Sequence, residues 1–477
     1  MHTIEKIGGT SMSDYTSVRD NIVLRSHGNT LYQRVFVVSA YGGITDRLLE
    51  HKKNGRPGIY GLFASGMEED SWSIEFDQLA IDLRKMNHDL FGEGELLQQA
   101  DHFLDERLDG AKQCLLDLQS LCQHGHFALD AHLDTVREML ASIGEAHSAW
   151  NTAALLKRDG VNASFVDLTA WKTNKHISLD ERIREAFANI DLDKQLPVVT
   201  GYAHSDKGLM TSFDRGYSEM TFSRLAVLTQ ATEAIIHKEF HLSSADPRLV
   251  GVENAVPIGM TNYKVADQLA NLGMEAIHPK AAKGLRQNDI PLRVKNTFEP
   301  EHTGTLITGD YVSDTPCVEI IAGCKGIYAL ELFDQDMVGS KHDYDSAVLM
   351  IIKRFKAHIV FKDASANTLT HFLSTNLKTV KRIQTAVEEQ FPEAELNQQK
   401  VAIVSAIGSD MQIPGILAKT VQAVASVNVS VLSIHQSMRQ VEMQFVVKEC
   451  DYNATVKSLH AALVEVHDHG RAICLAS

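Results

Sequence analysis

Glu5-Lys-Ile-Gly-Gly-Thr-Ser11, close to the start of the chain, is the stretch on which the fold turns. Two glycines directly after a short strand let backbone N–H groups approach phosphate oxygens, because no Cβ blocks the way. Lys6 adds a mobile cation, and the Ser/Thr/Asp-rich residues beyond it offer an N-cap for a helix carrying Val18, Ile22 and Val23. The spacing is not G-x-x-x-x-G-K-[ST], so a P-loop is not indicated. Alone, Gly-Gly-Thr is more often an ordinary turn. Its weight comes from its surroundings.

Outward from that stretch, β-rich runs alternate with helical periodicity over the first 300 or so residues. Val35–Ser39 reads as a buried strand closed by Tyr41-Gly-Gly43, and further strands are expected at Ala163–Leu168, Leu196–Thr200, Glu233–Phe240 and Ile290–Thr297. Leu129, Leu133, Val136, Leu140 and Ile143 recur at the spacing of an amphipathic helix. Such alternation predicts an α/β domain with a largely parallel sheet. Residues of about 74–125, without proline and rich in Leu, Gln, Asp and Lys, read as a helical insertion.

After about residue 310 the rhythm becomes strand, helix, two strands, helix, and is then repeated. Phe333-Asp-Gln-Asp-Met337 echoes Ile407-Gly-Ser-Asp-Met411, so two copies of one module are expected rather than a solenoid. The expected domains are 1–310, 316–392 and 399–477, with polar linkers near Glu299–Thr305 and Pro392–Gln399.

Composition narrows the function. The chain has 477 residues, 44% of them hydrophobic, ample for several cores. Its opening lacks the apolar core of a secretory signal, and no apolar run reaches bilayer length. Six scattered cysteines with no C-x-x-C pair do not suggest a stapled secreted domain, and a reducing cytoplasm is expected. A formal charge of −15 argues against nucleic-acid and anionic-membrane binding. The 22 histidines show no H-E-x-x-H or related spacing, and no protein-only metal cage is expected.

Several motifs follow the opening one in a fixed order: Ser39-Ala-Tyr-Gly-Gly-Ile-Thr45, Gly144-Glu145, Phe213-Asp-Arg-Gly-Tyr-Ser-Glu219, Ala245-Asp-Pro-Arg248, Ile277-His-Pro279, and Arg293-Val-Lys-Asn-Thr297 with Gly304-Thr-Leu-Ile307. In that order they resemble the aspartate kinase family, and the duplicated module resembles that family's paired ACT domains. Ala146-His-Ser148, Glu239–Ser244 and Ile434-His-Gln-Ser437 are most similar to the ectoine-biosynthesis-associated aspartokinases. The resemblance implies an amino-acid kinase fold, a three-layer αβα domain on a largely parallel sheet, followed by two ferredoxin-like α+β ACT domains. It also implies a homodimer formed through the ACT domains and a small-molecule effector bound there.

The implied reaction moves the γ-phosphoryl of MgATP to the β-carboxylate of L-aspartate, feeding aspartate-family amino acid or ectoine synthesis. A carboxylate is already ionised at pH 7 and needs no general base, so the task is alignment and charge neutralisation. By resemblance Lys6 meets the transferring phosphoryl group, with Glu219 as an anionic organiser. Arg215 forks the substrate α-carboxylate, Glu145 pairs with the α-ammonium, and Ser39, Thr45 and Ser218 donate to substrate. Gly8, Gly9, Thr10, Lys238, Asp246 and Arg248 form the nucleotide side, with Mg²⁺ held mainly by phosphates and water. Without the resemblance each has a blander reading: Lys6 as an exposed strand-edge lysine, Glu145 as a first-turn acid favoured by the helix dipole, Arg215 as a structural ion pair, Asp246 and Arg248 as a surface turn.

Departures fall mostly on the nucleotide side. His237-Lys238 stands where the family usually has threonine–aspartate, Ser243 replaces a tyrosine, and Glu275 replaces a lysine. Asp214 and Tyr217 stand for flanking glycines and Glu219 for an aspartate. In the first ACT-like copy, Met337–Asp345 is longer and more charged than Met411–Gly415 in the second. Two alternatives remain at this level: another kinase of the same fold class, acting on acetylglutamate, glutamate or uridylate, and a non-catalytic effector-binding protein with a decayed nucleotide site.

Overall fold

Thr3–Ile7 (β1) is flanked on both sides by parallel neighbours, Arg34–Val38 (β2) and Glu233–Lys238 (β5). A strand in that position is covered on both faces, which is why Ile4 and Ile7 and the run Val35–Val38 are apolar and buried. The computed structural model describes residues 1–25, 31–52, 55–66, 70–173, 175–213, 216–274 and 276–466. With Ala163–Val166 (β3), Leu196–Thr200 (β4), Leu292–Asn296 (β6) and Thr305–Thr308 (β7), the strands lie in the order β3-β4-β2-β1-β5-β6-β7. All pairs are parallel except β6 with β7. The loops leaving β1, β2, β4, β5 and β6 therefore emerge along one edge, where open α/β sheets take their ligands.

The helices follow their sequence stripes. Gly9–Met12 (α1) begins directly after the first glycine. Ser71–Phe91 (α2) and Glu95–Cys122 (α3) occupy the expected insertion. They are antiparallel: Asp77 meets Lys112, Arg84 meets Asp105 and Asn87 meets Asp101, so partners step in opposite directions. Leu133–Arg158 (α4) buries Val136, Leu140 and Ile143 together with Glu145, His147, Ser148 and Asn151. Tyr217–Thr229 (α5) and Pro279–Gln287 (α6) complete the framework of the site.

Beneath the sheet's centre lies a buried charge cluster. Arg34 forks onto Glu5 at 2.6 and 3.0 Å, and His237 Nε2 meets the same carboxylate at 2.8 Å. Burial alone would raise the Glu5 pKa, but Arg34 and His237 hold it far below the usual carboxylate range. Replacing Glu5 with alanine strands Arg34 and is expected to cost about 3–5 kcal/mol by chemical denaturation. Because the folded pKa is depressed, this contribution is present above the ordinary carboxylate pKa of about 4.3 and is lost as pH falls towards the folded value.

The chain divides into two compact units, Met1–His241 with Ile277–Gly309, and Leu242–Ala276 with the chain from Asp310. Leu242–Ala276, inside the span 1–310 expected for the first domain, groups with the second. Ile258, Val265, Leu269 and Leu272 share an apolar cluster with Ile320, Ile327, Phe372 and Val401.

In the second unit both module copies build one antiparallel sheet. Its strands are Ile320–Phe333 (β8), His358–Ala364 (β9), Thr368–Ser374 (β10), Glu395–Ile407 (β11), Ser433–Gln436 (β12) and Glu442–Lys448 (β13), in the order β9-β10-β8-β11-β13-β12. The polar stretch to Gln399, expected as linker, instead pairs with β8 from Glu395↔Phe333 onward. Its exposed polar residues lie on strand positions that carry no core, so composition alone reads as loop.

Candidate active site

Lys6 is 8% exposed on the central strand, which excludes a solvated strand-edge lysine. Its ammonium lies 3.2 Å from Glu219 Oε1, and the other Glu219 oxygen accepts the backbone N–H of His278. Burial works to raise the Glu219 pKa, but the charges of Lys6 and Lys238 and the His278 N–H hold it low. The ring of His278 caps α6 by accepting the Lys280 N–H, and it packs where a Cβ on Gly216 would sit, 2.6 Å from its Cδ2. Gly216, at the start of α5, is thus the residue that lets the two motifs close together.

The two glycine loops also meet. Ser13 donates to Gly9 O at 3.2 Å and accepts the Gly42 N–H at 2.9 Å. A Cβ on Gly9 would lie 2.6 Å from Ala40 O. The Gly8 N–H is spent on His237 O at 3.3 Å, so Gly8 does not offer it to phosphate. Gly9 and Thr10, as first-turn amides of α1, have no intrahelical acceptor. Ser39 is held by its backbone: its carbonyl accepts Ser148 Oγ at 2.7 Å and its N–H donates to Ile7 O at 3.2 Å. Thr45 sits half-buried in the short helix that follows Gly43.

Glu145 lies in the middle of α4, not in its first turn, and is 1% exposed. Gly144 lets the helix press against this loop, since a Cβ there would stand 2.9 Å from Ala40 Cβ. Ser218 donates to Glu145 Oε1 at 2.7 Å, while Oε2 is buried with no hydrogen-bond partner among the described residues. Burial pushes the Glu145 pKa up to about 7, against the Ser218 hydroxyl, the Lys6 charge and weaker help from the Tyr217 side chain and the Tyr202 backbone. A buried carboxylate oxygen without a donor is costly unless something cationic arrives.

Sequence reading missed Gly201. A Cβ there would lie 2.6 Å from Glu145 Oε2, 2.8 Å from Val38 O and 3.0 Å from Ser218 Cβ. Its only signal is a glycine immediately after the buried strand Leu196–Thr200. Gly201→Ala is expected to cost about 1–3 kcal/mol of stability and to raise the KM for the amino-acid substrate, read by thermal denaturation beside steady-state kinetics.

The structure thus brings Lys6, Glu145, Ser218, Glu219 and Lys238 together at the edge where the glycine loops emerge. Asp246 and Arg248 belong to the second unit, where Arg248, 90% exposed, forks onto Asp246 at 3.0 and 2.8 Å. Arg215, Asp214 and Glu275 lie outside the described residues. His237, a departure on the nucleotide side, is turned to Glu5 beneath the sheet. Among the described residues, no helix is long and apolar enough to cross a membrane.

Comparison with known proteins identifies the family and the fold. A model of the amino acid kinase family matches residues 1–296, and an ACT domain model matches residues 404–463. Crystal structures of Escherichia coli aspartokinase III share the fold across 97% of this chain. The complex with lysine and aspartate has a TM-score of 0.74 at 20% identity over 99% of its chain. The complex with aspartate and ADP has 0.70 at 20% identity over 100%. The aspartate kinase Ask_Ect of Stutzerimonas stutzeri (strain A1501) is 53% identical over 477 residues, the whole of both chains. Identity of that extent covers the glycine-loop unit and the duplicated module alike, and the chain belongs to the aspartate kinases of the amino acid kinase family.

Proposed function

We propose that this kinase transfers the γ-phosphoryl of MgATP to the β-carboxylate of L-aspartate, giving 4-phospho-L-aspartate and ADP. The observation that carries the reading is the buried Glu145 carboxylate, whose Oε2 has no close hydrogen-bond partner among the described residues, beside the Lys6–Glu219 pair. An α-ammonium satisfies that oxygen, whereas acetylglutamate and uridylate have no free ammonium to offer.

In this reading Glu145 holds the substrate ammonium, Arg215 forks its α-carboxylate, and Ser39 and Thr45 donate around it; Ser218, whose hydroxyl proton is given to Glu145 rather than to substrate, orients that carboxylate. Lys6, aimed by Glu219, leaves that partner to meet the phosphoryl oxygens as charge develops on them. The first-turn amides of Gly9 and Thr10, which have no intrahelical acceptor, suit nucleotide phosphate. Lys238 adds a cation on the nucleotide side. Mg²⁺ supplies neutralisation of the nucleotide's phosphate charge. Both oxygens of Glu219 are already engaged, which fits an ion carried by phosphates and water.

Hydroxylamine trapping with MgATP and L-aspartate tests the reaction. Aspartyl hydroxamate is expected, and its absence from the wild type would retire the reading in favour of a non-catalytic effector-binding protein.

The second unit is proposed to dimerise the protein and to bind an effector other than lysine or threonine alone. Near Met337–Asp345, Tyr344 donates to Asp334 at 2.8 Å and Asp345 pairs with Lys362, so charged groups are already committed within the chain. Strong inhibition by low-millimolar lysine would overturn this. Whether the product feeds ectoine or amino-acid synthesis is settled by which later enzymes accompany it in the genome.

A further inference from the structure

β5 and β6 run parallel, with Lys238 in register with Asn296. Three residues beyond each of those partners stand His241 and Glu299, and the Thr297 N–H extends the ladder by donating to Lys238 O at 2.8 Å. A turn closed by the His302 N–H to Glu299 O at 3.1 Å then brings His302 back to the same point. The outcome is a compact cluster. His241 Nε2 lies 3.0 Å from Glu299 Oε2, His302 Nδ1 lies 3.6 Å from the same oxygen, and all three ligand atoms fall within 4.8 Å of one another.

We propose that His241, Glu299 and His302 form a binding site for a divalent transition ion of the Zn²⁺ class. Ligands about 2.0–2.1 Å from a tetrahedral ion stand a little over 3 Å apart, and the separations of 3.0 and 3.6 Å bracket that spacing. Two imidazoles and one carboxylate favour Zn²⁺, Co²⁺ or Ni²⁺ over Mg²⁺, whose preferred ligands are oxygens. The site is therefore separate in chemistry from any Mg²⁺ carried by a nucleotide.

Three further observations support it. Asn296 Nδ2 holds the other Glu299 oxygen at 3.1 Å, and its own Oδ1 accepts the Phe298 N–H at 3.0 Å, orienting the carboxylate from behind as outer-shell partners do. His302 Nδ1 is buried and has no hydrogen-bond partner among the described residues, its contact with Glu299 being too long for one. The His241 side chain is only 8% exposed and that of Glu299 is 51% exposed, so the cluster is anchored on one side and open to an entering ion on the other. The rings stack at 4.6 Å with 17° between planes. Bringing both lone pairs onto one ion requires rotation about the ring torsions, which are soft in histidine. Three protein ligands leave a fourth position for water or another small ligand.

The test is a titration of the full-length protein, freed of metal by chelation, with Co²⁺ and separately with Zn²⁺ against a chromophoric chelator. The wild type is expected to take up one equivalent with visible Co²⁺ d–d bands and to gain thermal stability with added Zn²⁺. His302→Ala and Glu299→Gln are expected to lose the bands and the equivalent, and Asn296→Ala to bind about 10–100-fold more weakly. His342→Ala, at an exposed histidine remote in sequence, controls for adventitious binding and is expected to match the wild type. Should His302→Ala fail to fold, Glu299→Gln, on an exposed residue, carries the comparison. Absence of the equivalent in the wild type overturns the proposal, and so does its persistence in both ligand variants.

Discussion

Replacing Lys6 with alanine is expected to lower kcat about 10²–10³-fold, equivalent to about 3–4 kcal/mol of transition-state stabilisation. The KM for aspartate should move far less. The nucleophile is a carboxylate that needs no deprotonation, so the barrier lies in bringing anions together. Removing a cation that meets the transferring group then falls on the chemical step. Lys6 is also placed with little freedom, on a central strand, 8% exposed, with Glu219 at 3.2 Å. Arginine should not rescue it, because a planar fork cannot occupy the space of a compact ammonium. The variant also leaves Glu219 with one fewer counter-charge, so its stability must be measured beside its kinetics. A kcat within threefold of the wild type, with lowered stability, would reduce Lys6 to a structural partner of Glu219.

The sequence announces the elements of this fold better than it announces their partners. The glycine loops, the buried strands and the stripe of α4 are each written in a local period or a local pair of glycines. Contacts between them are not. Glu145, Gly201 and Ser218 meet across 73 residues of chain, and a glycine after a strand says nothing about which carboxylate needs the missing Cβ. Periodicity reports that a position is buried without reporting what it is buried against. For the same reason Leu242–Ala276 reads as part of the first domain although its apolar residues pack in the second unit's core. His237 shows the converse error, since what reads as an altered nucleotide residue is paired with Glu5 below the sheet. The histidine–glutamate cluster escapes any motif search because its ligands stand 58 residues apart and meet only through strand register.

Glu145→Gln is expected to make the unliganded protein more stable at pH 8 while raising the KM for aspartate about 100-fold. The two effects share one cause. The Glu145 pKa is raised from 4.5 to about 7, so keeping it ionised in the empty site costs about 3 kcal/mol. The sign follows from linkage: the folded state binds a proton that the unfolded state releases, so the penalty is absent below about pH 4.5, grows through the interval and is complete above 7. Glutamine escapes the penalty and can still accept the Ser218 hydroxyl at Oε1, so a gain of about 1–3 kcal/mol is expected at pH 8, vanishing at pH 4.5. The same substitution removes the anion that the substrate ammonium would neutralise. In the wild type, binding below pH 7 must first expel the Glu145 proton, so the KM for aspartate should fall roughly tenfold per pH unit from 5 to 6 and level off above 7. The glutamine variant should show no such slope. A pH-independent KM in the wild type, or a variant with unchanged KM, would remove Glu145 from substrate binding. If both expectations hold, the buried carboxylate is a place where stability is given up so that the empty site is already complementary to an amino acid.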